Sequence, residues 1–264
     1  MSNATLARED LGGHDGLEAW TLAFTPPHPT SKSMPQSLYT GGDDSKLRCL
    51  SFPSLGSLRH PLSEIVRASP GGERGMRGHD AGVTAILPLP LGTTAGTDIL
   101  LTGSYDDHVR VFAVHDYRPN STSKPCVLTE KNLGGGVWRL RFLDRESEKV
   151  EGGHRVFRVL ASCMHAGARL LEIEGDKEGE WEIRVLARFE EHESMNYGSD
   201  VQPVRKREWR GVRPSQAEGI EEDKQEDKRG RNVVSTSFYD RRLCVWKVPV
   251  VAEPGSEETP RIGR

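Results

Sequence analysis

The stretch LLTGSYDDHVRVF at 100–112 decides the reading of this chain. It runs as an apolar strand, a step of small residues, a polar turn and a second alternating strand. The phrase returns as LYTGGDDSKLRCL at 38–50, VLASCMHAGARLL at 159–171 and VVSTSFYDRRLCVW at 233–246. Three copies set an aspartate six residues before the last apolar position: Asp44 before Leu50, Asp106 before Phe112, Asp240 before Trp246. Self-similarity on one plan marks a repeat architecture, in which each unit is a small sheet that buries its faces against neighbouring units.

Each phrase has a front half. GGHDGLEAWTLAF at 12–24, RGHDAGVTAILPL at 77–89, GGGVWRLRFL at 134–143 and EEHESMNYGSDV at 190–201 precede the four copies. Within them Val83, Ala85 and Leu87 share one face, the period-2 signal of a strand. The expected fold is therefore all-β: a WD-repeat β-propeller, its sheets packed radially. About four blades are present, against about seven in the usual WD propeller. The units are expected near 12–53, 77–118, 126–174 and 181–250, together a partial propeller over 1–252. In such blades a loop His, a strand Ser/Thr, a turn Asp and a strand Trp form one hydrogen-bonded set, so His14 with Asp44 and His79 with Asp106 read as structural pairs. Residues 54–76 read as an exposed loop. The dense charge of 205–231 reads as a disordered insertion and 253–264 as a disordered tail, with Val248–Ala252 a further outer strand.

Composition bounds the function. The formal net charge is −3, so no global field recruits nucleic acid or an acidic membrane. No run of 18 apolar residues predicts a membrane span, and MSNATLARED lacks the basic and apolar regions of a signal peptide. The four cysteines lack CxxC spacing, and three fall in the repeated strands, so buried thiols and a reduced, cytoplasmic compartment are expected. No P-loop or HExxH is present, and no convincing dinucleotide fingerprint; no cofactor and no metal site are expected.

Several phrases are more particular than a generic WD repeat: HDGLEAWTLAF (14–24), LYTGGDD (38–44), LTGSYDDHVRVF (101–112), LGGGVWRLRF (133–142), ASCMHAG (161–167), HESMNYGSD (192–200) and STSFYDRRLCVW (235–246). In this order they resemble the diphthine methyl ester hydrolases, also called diphthine methyltransferases, a WD-repeat family of diphthamide biosynthesis. The resemblance spans about residues 12–248. It implies hydrolysis of a methyl ester on a modified histidine of elongation factor 2, giving diphthine, with that factor as the protein partner. It also implies a quaternary ammonium beside the ester. The alternative is a non-catalytic WD scaffold that binds a protein on its top face, which the fold alone does not distinguish.

Ester hydrolysis needs a nucleophile or activated water, a base and an oxyanion stabiliser. The GxSxG esterase signal is absent, and Ser104 occupies a routine strand position. One position breaks the repeat: His165 stands where the third unit should carry its turn aspartate, and that unit lacks the loop His. An imidazole is suited to act as general base, so His165 is the catalytic candidate. Gly134, Gly135 and Gly136 either offer backbone N–H groups to an oxyanion or meet the needs of a tight loop. Quaternary ammonium groups are held by aromatic faces and acids. Trp20, Trp138, Tyr105 and Tyr239, with Glu18 and Asp43, form a candidate cage. Asn196 and Tyr197, with Asp200 nearby, are candidate substrate contacts on the loop entering the fourth unit.

Overall fold

The computed structural model describes residues 13–26, 36–52, 63–66, 78–91, 97–115, 125–143, 148–149, 154–175, 179–203 and 230–248. Strands dominate them, in four antiparallel sheets. The first sheet orders β1 (Ala19–Phe24), β2 (Gln36–Gly42), β3 (Leu47–Phe52) and β4 (Ser63–Val66). The second orders β5 (Val83–Pro88), β6 (Thr97–Ser104), β7 (His108–His115) and β8 (Cys126–Asn132). In the third, β9 (Arg139–Phe142) and β10 (Glu148–Lys149) share one edge of β11 (Arg155–Ser162), followed by β12 (Ala168–Gly175) and β13 (Trp181–Phe189). The fourth holds β14 (Gly198–Val201), β15 (Arg231–Thr236) and β16 (Leu243–Val248).

Strand alternation fixes which residues meet between sheets. Tyr39, Leu47 and Cys49 of the first sheet close on Val83, Leu100 and Phe112 of the second. Leu101, Val109 and Val111 of the second pack on Phe157, Val159 and Ile173 of the third. Leu160, Leu170 and Phe189 of the third pack on Val233, Trp246 and Val248 of the fourth. The innermost strands β1, β5, β9 and β14 neighbour one another in turn, so the sheets fan about a common hub. Beyond these three seams the end sheets keep apolar side chains in water: Leu22 and Phe24 on β1, Leu243 and Val245 on β16.

The architecture is the expected one, but the unit boundaries differ. Strand 126–132 hydrogen-bonds to β7 and closes the second sheet rather than opening the third. Strand 181–189 likewise closes the third sheet on β12 rather than opening the fourth. Each of these strands pairs antiparallel with the third strand of its own sheet, which places it on that sheet's outer edge ahead of the loop that enters the next sheet. Residues 63–66 form β4 inside the stretch read as a loop. Arg231, placed at the end of the charged insertion, instead opens β15, and its guanidinium donates to the Leu143 carbonyl at 2.8 Å. Residues 205–229, the outer strand foreseen over 249–252 and the tail 253–264 lie outside the described residues. Among the described residues no helix is long and apolar enough to cross a membrane.

Candidate functional site on the turn face

The turn of each sheet is pinned by a buried polar set. In the second sheet the His79 imidazole meets Thr102 Oγ1 at 2.7 Å and Asp106 Oδ2 at 3.2 Å. Asp106 also accepts the backbone N–H groups of Asp80 and His108 and pairs with Arg110. In the first sheet His14 meets Asp44 at 2.7 Å and Thr40 at 3.1 Å, and Arg48 closes on Asp44 at 2.8 Å. These are the structural pairs expected from the repeat. The arginine partners were not expected from the repeat, whose pattern sets an apolar residue or Trp at the sixth position after the Asp, whereas Arg48 and Arg110 sit at the fourth. In the fourth sheet Ser235 Oγ lies 2.8 Å from His192 and accepts from the Trp246 indole at 3.2 Å.

Burial raises Asp106, but the bonds from His79 and Asp80 and the Arg110 charge outweigh it and hold the carboxyl far below the usual range. Asp44 is held low in the same way, burial being outweighed by His14, Arg48 and the Lys46 N–H. Burial depresses His79 and His192. All four groups bind protons more weakly folded than unfolded, so each contributes stability that is lost as pH falls. The urea midpoint is expected to drop first below about pH 6.5, as the unfolded histidines charge, and again below about pH 4, as the carboxylates protonate. Denaturation curves at stepped pH check this; a midpoint constant from neutrality to about pH 5 contradicts the histidine part.

In the third sheet His165 takes the aspartate's place, and the set is rebuilt without it. Arg169, equivalent to Arg48 and Arg110, turns to Glu190 Oε1 at 2.8 Å and to the Ala166 carbonyl. His165 is left exposed, and its imidazole makes no hydrogen bond among the described residues. Its turn is nonetheless fixed. Met164 has a positive φ of 42°, and its carbonyl accepts from Gly167 N at 3.1 Å and Asn196 N at 2.9 Å. Cys163, two residues away, is fully buried, and burial pushes its thiol up to about 12, so it is no thiolate nucleophile at neutral pH.

The same face carries a continuous run of rings from all four sheets. Trp20 stands edge-on to Tyr105 with centroids 5.0 Å apart and lies 6.2 Å from Trp138. Tyr105 and Trp138 are 5.6 Å apart, and Trp138 meets Tyr197 at 5.2 Å. The run continues to Phe238 at 5.8 Å and from there to Tyr239 at 5.0 Å. Backbone bonds between successive loops hold the rings in place: Tyr105 N to Gly82 O, Val137 N to Ser104 O, Trp138 N to Ser162 O, Phe238 N to Met195 O. Burial, then the nearby Tyr197 and the Asp43 carboxylate, raise the Tyr105 hydroxyl. Asp43 also lies beside Trp20, since a methyl group on Gly82 would fall 2.4 Å from the Trp20 ring and 3.2 Å from Asp43 Cα.

Of the sequence candidates, Trp20, Tyr105, Trp138 and Tyr197 thus come into ring contact, with Asp43 at one end. Glu18 is exposed beside them, its carbonyl accepting the Asp43 N–H. Tyr239 is drawn away to the far end of the run. Asn196 requires correction as a substrate contact. It is completely buried, its amide donating to the Gly198 and Thr236 carbonyls and accepting from the Ser199 hydroxyl, because a polar loop side chain can replace missing backbone partners. Asp200 pairs with Arg141 at 2.7 Å. The glycine triplet meets packing needs: Gly134 has a φ of +82°, and a methyl on Gly136 would fall 2.6 Å from the Met164 sulfur and 3.2 Å from the Tyr105 ring. That contact also brings the His165 turn against the ring run. Phe238 was missed; a lone Phe in a turn carries no signal of its own. No group of three metal-ligating side chains gathers among the described residues.

Comparison with known proteins bears on the fold. The family model of the WD domain, G-beta repeat, matches residues 73–112. The diphthine methyltransferase of Schizosaccharomyces pombe is 33% identical over 236 residues, covering 89% of this chain and 52% of that protein. Over most of its own length the chain is similar to diphthine methyltransferases. The mouse diphthine methyltransferase is 30% identical over 70% of this chain and 30% of its own length. The chain therefore spans about half, or less, of the relatives it matches. Among solved structures, that of Saccharomyces cerevisiae Sqt1 is similar with a TM-score of 0.47 and 15% identity, covering 88% of this chain and 47% of that one.

Proposed function

We propose that this chain acts in diphthamide biosynthesis as a methylesterase, converting diphthine methyl ester on elongation factor 2 to diphthine. The homology supports the pathway, and the ring run supports the substrate. Half-buried Trp20, Trp138 and Tyr197, with Tyr105 and the Asp43 carboxylate, make an aromatic and acidic surface of the chemistry that holds a quaternary ammonium. A trimethylammonium group seated there brings its neighbouring ester to the adjacent His165 turn. His165 takes a proton from water as the water oxygen bonds to the ester carbon. The bond to the methoxy oxygen breaks, and the imidazolium gives its proton to the leaving methoxide, forming methanol. The second water proton passes to solvent, and a carboxylate remains.

The test is charge-specific. Betaine methyl ester carries a trimethylammonium beside a methyl ester, and its neutral tert-butyl isostere has the same shape without the charge. The chain is expected to prefer the cation by about tenfold in kcat/KM, since cation–π attraction at a partly desolvated site is worth about 1–2 kcal/mol. Trp138→Ala is expected to remove most of that preference, because Trp138 joins Trp20, Tyr105 and Tyr197. Equal rates on both esters, in the wild type, defeat the assignment.

A further inference from the structure

The seam between the third and fourth sheets changes character at one end. Along most of it Leu160, Leu170 and Phe189 meet Val233, Trp246 and Val248. Beside the His165 turn, three buried polar side chains replace this apolar packing. The Ser162 hydroxyl donates to Ser199 Oγ at 3.0 Å, and the Ser199 hydroxyl donates to Asn196 Oδ1 at 3.1 Å. The Asn196 amide donates in turn to the Thr236 carbonyl at 2.8 Å and the Gly198 carbonyl at 3.1 Å. Ser162, Ser199 and Asn196 are 1%, 4% and 0% exposed. A buried polar chain whose members are all satisfied rigidifies its surroundings and specifies one arrangement.

Each end of this chain also holds part of the turn face through its backbone. The Ser162 carbonyl accepts the Trp138 N–H at 2.8 Å. The Asn196 N–H donates to the Met164 carbonyl at 2.9 Å, a single bridge that ties the His165 turn to the loop entering the fourth sheet. Tyr197, the next residue, brings its ring 5.2 Å from Trp138. Met164 has a φ of 42°, a conformation that a residue other than glycine keeps only where its surroundings impose it.

Resting on the esterase reading above, we propose that Ser199 and Asn196 are positioning residues, which set the His165 turn at its working distance from the aromatic surface. Neither touches substrate. Ser162 and Trp138 belong to the third sheet, Asn196 and Tyr197 to the approach of the fourth. The Ser199 hydroxyl locks one to the other, so the base and the cation's rings keep one relative placement. A reacting group displaced by about 1 Å can lose up to about 10² in rate, which is the scale on which this lock acts.

Two measurements on the 264-residue chain test this. Ser199→Ala removes the middle hydroxyl with little change in volume and carries the test if Asn196→Ala fails to fold. On betaine methyl ester either variant is expected to lower kcat about tenfold, with KM within about twofold because Trp20, Tyr105 and Trp138 keep their ring contacts. In a His165→Ala background the same substitutions are expected to change kcat by less than about twofold, since residues that act through one another are not additive. A side chain that merely supports the fold lowers the rate equally in both backgrounds, and that result overturns the proposal, as does wild-type kcat in the variants.

Hydrogen exchange read by mass spectrometry needs no turnover. The variants are expected to exchange about tenfold faster over 163–167, where the Ala166 N–H meets the Cys163 carbonyl and the Gly167 N–H meets that of Met164. The second sheet over 100–112 is expected to keep its wild-type rate. Faster exchange in both segments, or in neither, overturns the proposal. Wild type that hydrolyses no ester, with the local change in exchange present, sinks the esterase reading alone and leaves the hold on the turn standing.

Discussion

Asp106→Ala is expected to destabilise the chain by about 3–5 kcal/mol, the range for removing one partner of a buried ion pair. Arg110 is 2% exposed and packs beneath the turn, with Asp106 its closest carboxylate and Glu130 on its other edge at 2.9 Å. Taking the carboxylate away leaves a guanidinium in the interior and strips the Asp80 and His108 N–H groups of their acceptor. His79 loses the partner that orients it on Thr102. Asp240→Ala makes the contrast. That carboxylate accepts one backbone N–H at 3.2 Å and stands 3.9 Å from a half-exposed Arg242, so a much smaller loss is expected. Urea unfolding of the two variants side by side checks the difference. Equal small losses contradict the account of the buried set.

His165→Ala is expected to lower kcat on the methyl ester by about 10²–10⁴, the usual contribution of a general base, with the melting temperature unchanged. The two halves follow from the same observation. The side chain is exposed, and the neighbouring Arg169 is already satisfied by Glu190, so truncation removes no structural bond. His165→Asp sharpens the test, because it restores the residue that the repeat would place there. A fold that tolerates Asp while the reaction stops separates chemistry from architecture. If both variants keep full activity, the base lies elsewhere on the face.

The fold was legible because its signals are local. A polar turn between alternating strands, recurring four times, specifies a hairpin whatever surrounds it, and the His and Asp pairs follow from fixed offsets along it. The outer strands were assigned to the wrong units because hydrogen-bond partners of an edge strand depend on the chain's path, not its composition. Arg48 and Arg110 escaped notice because a charged residue at a buried position is visible only once its carboxylate is seen beside it. On the turn face, Trp20 and Trp138 could be read from equivalent positions in two units, and in the fold each meets Tyr105. Asn196 misled because a polar loop residue looks the same whether it meets a ligand or caps its own backbone. His165 stood out in the sequence because it breaks the repeat rule, and the fold leaves it exposed while Arg169 turns to Glu190 instead.

Mass spectrometry of elongation factor 2 bearing diphthine methyl ester, incubated with this chain, decides whether the ester is cleaved. Loss of one methylene mass from the modified histidine is expected, with release of methanol and no added methyl donor. No mass change, with the chain shown to be folded, would contradict it, as would a gain of one methylene that depends on a supplied methyl donor.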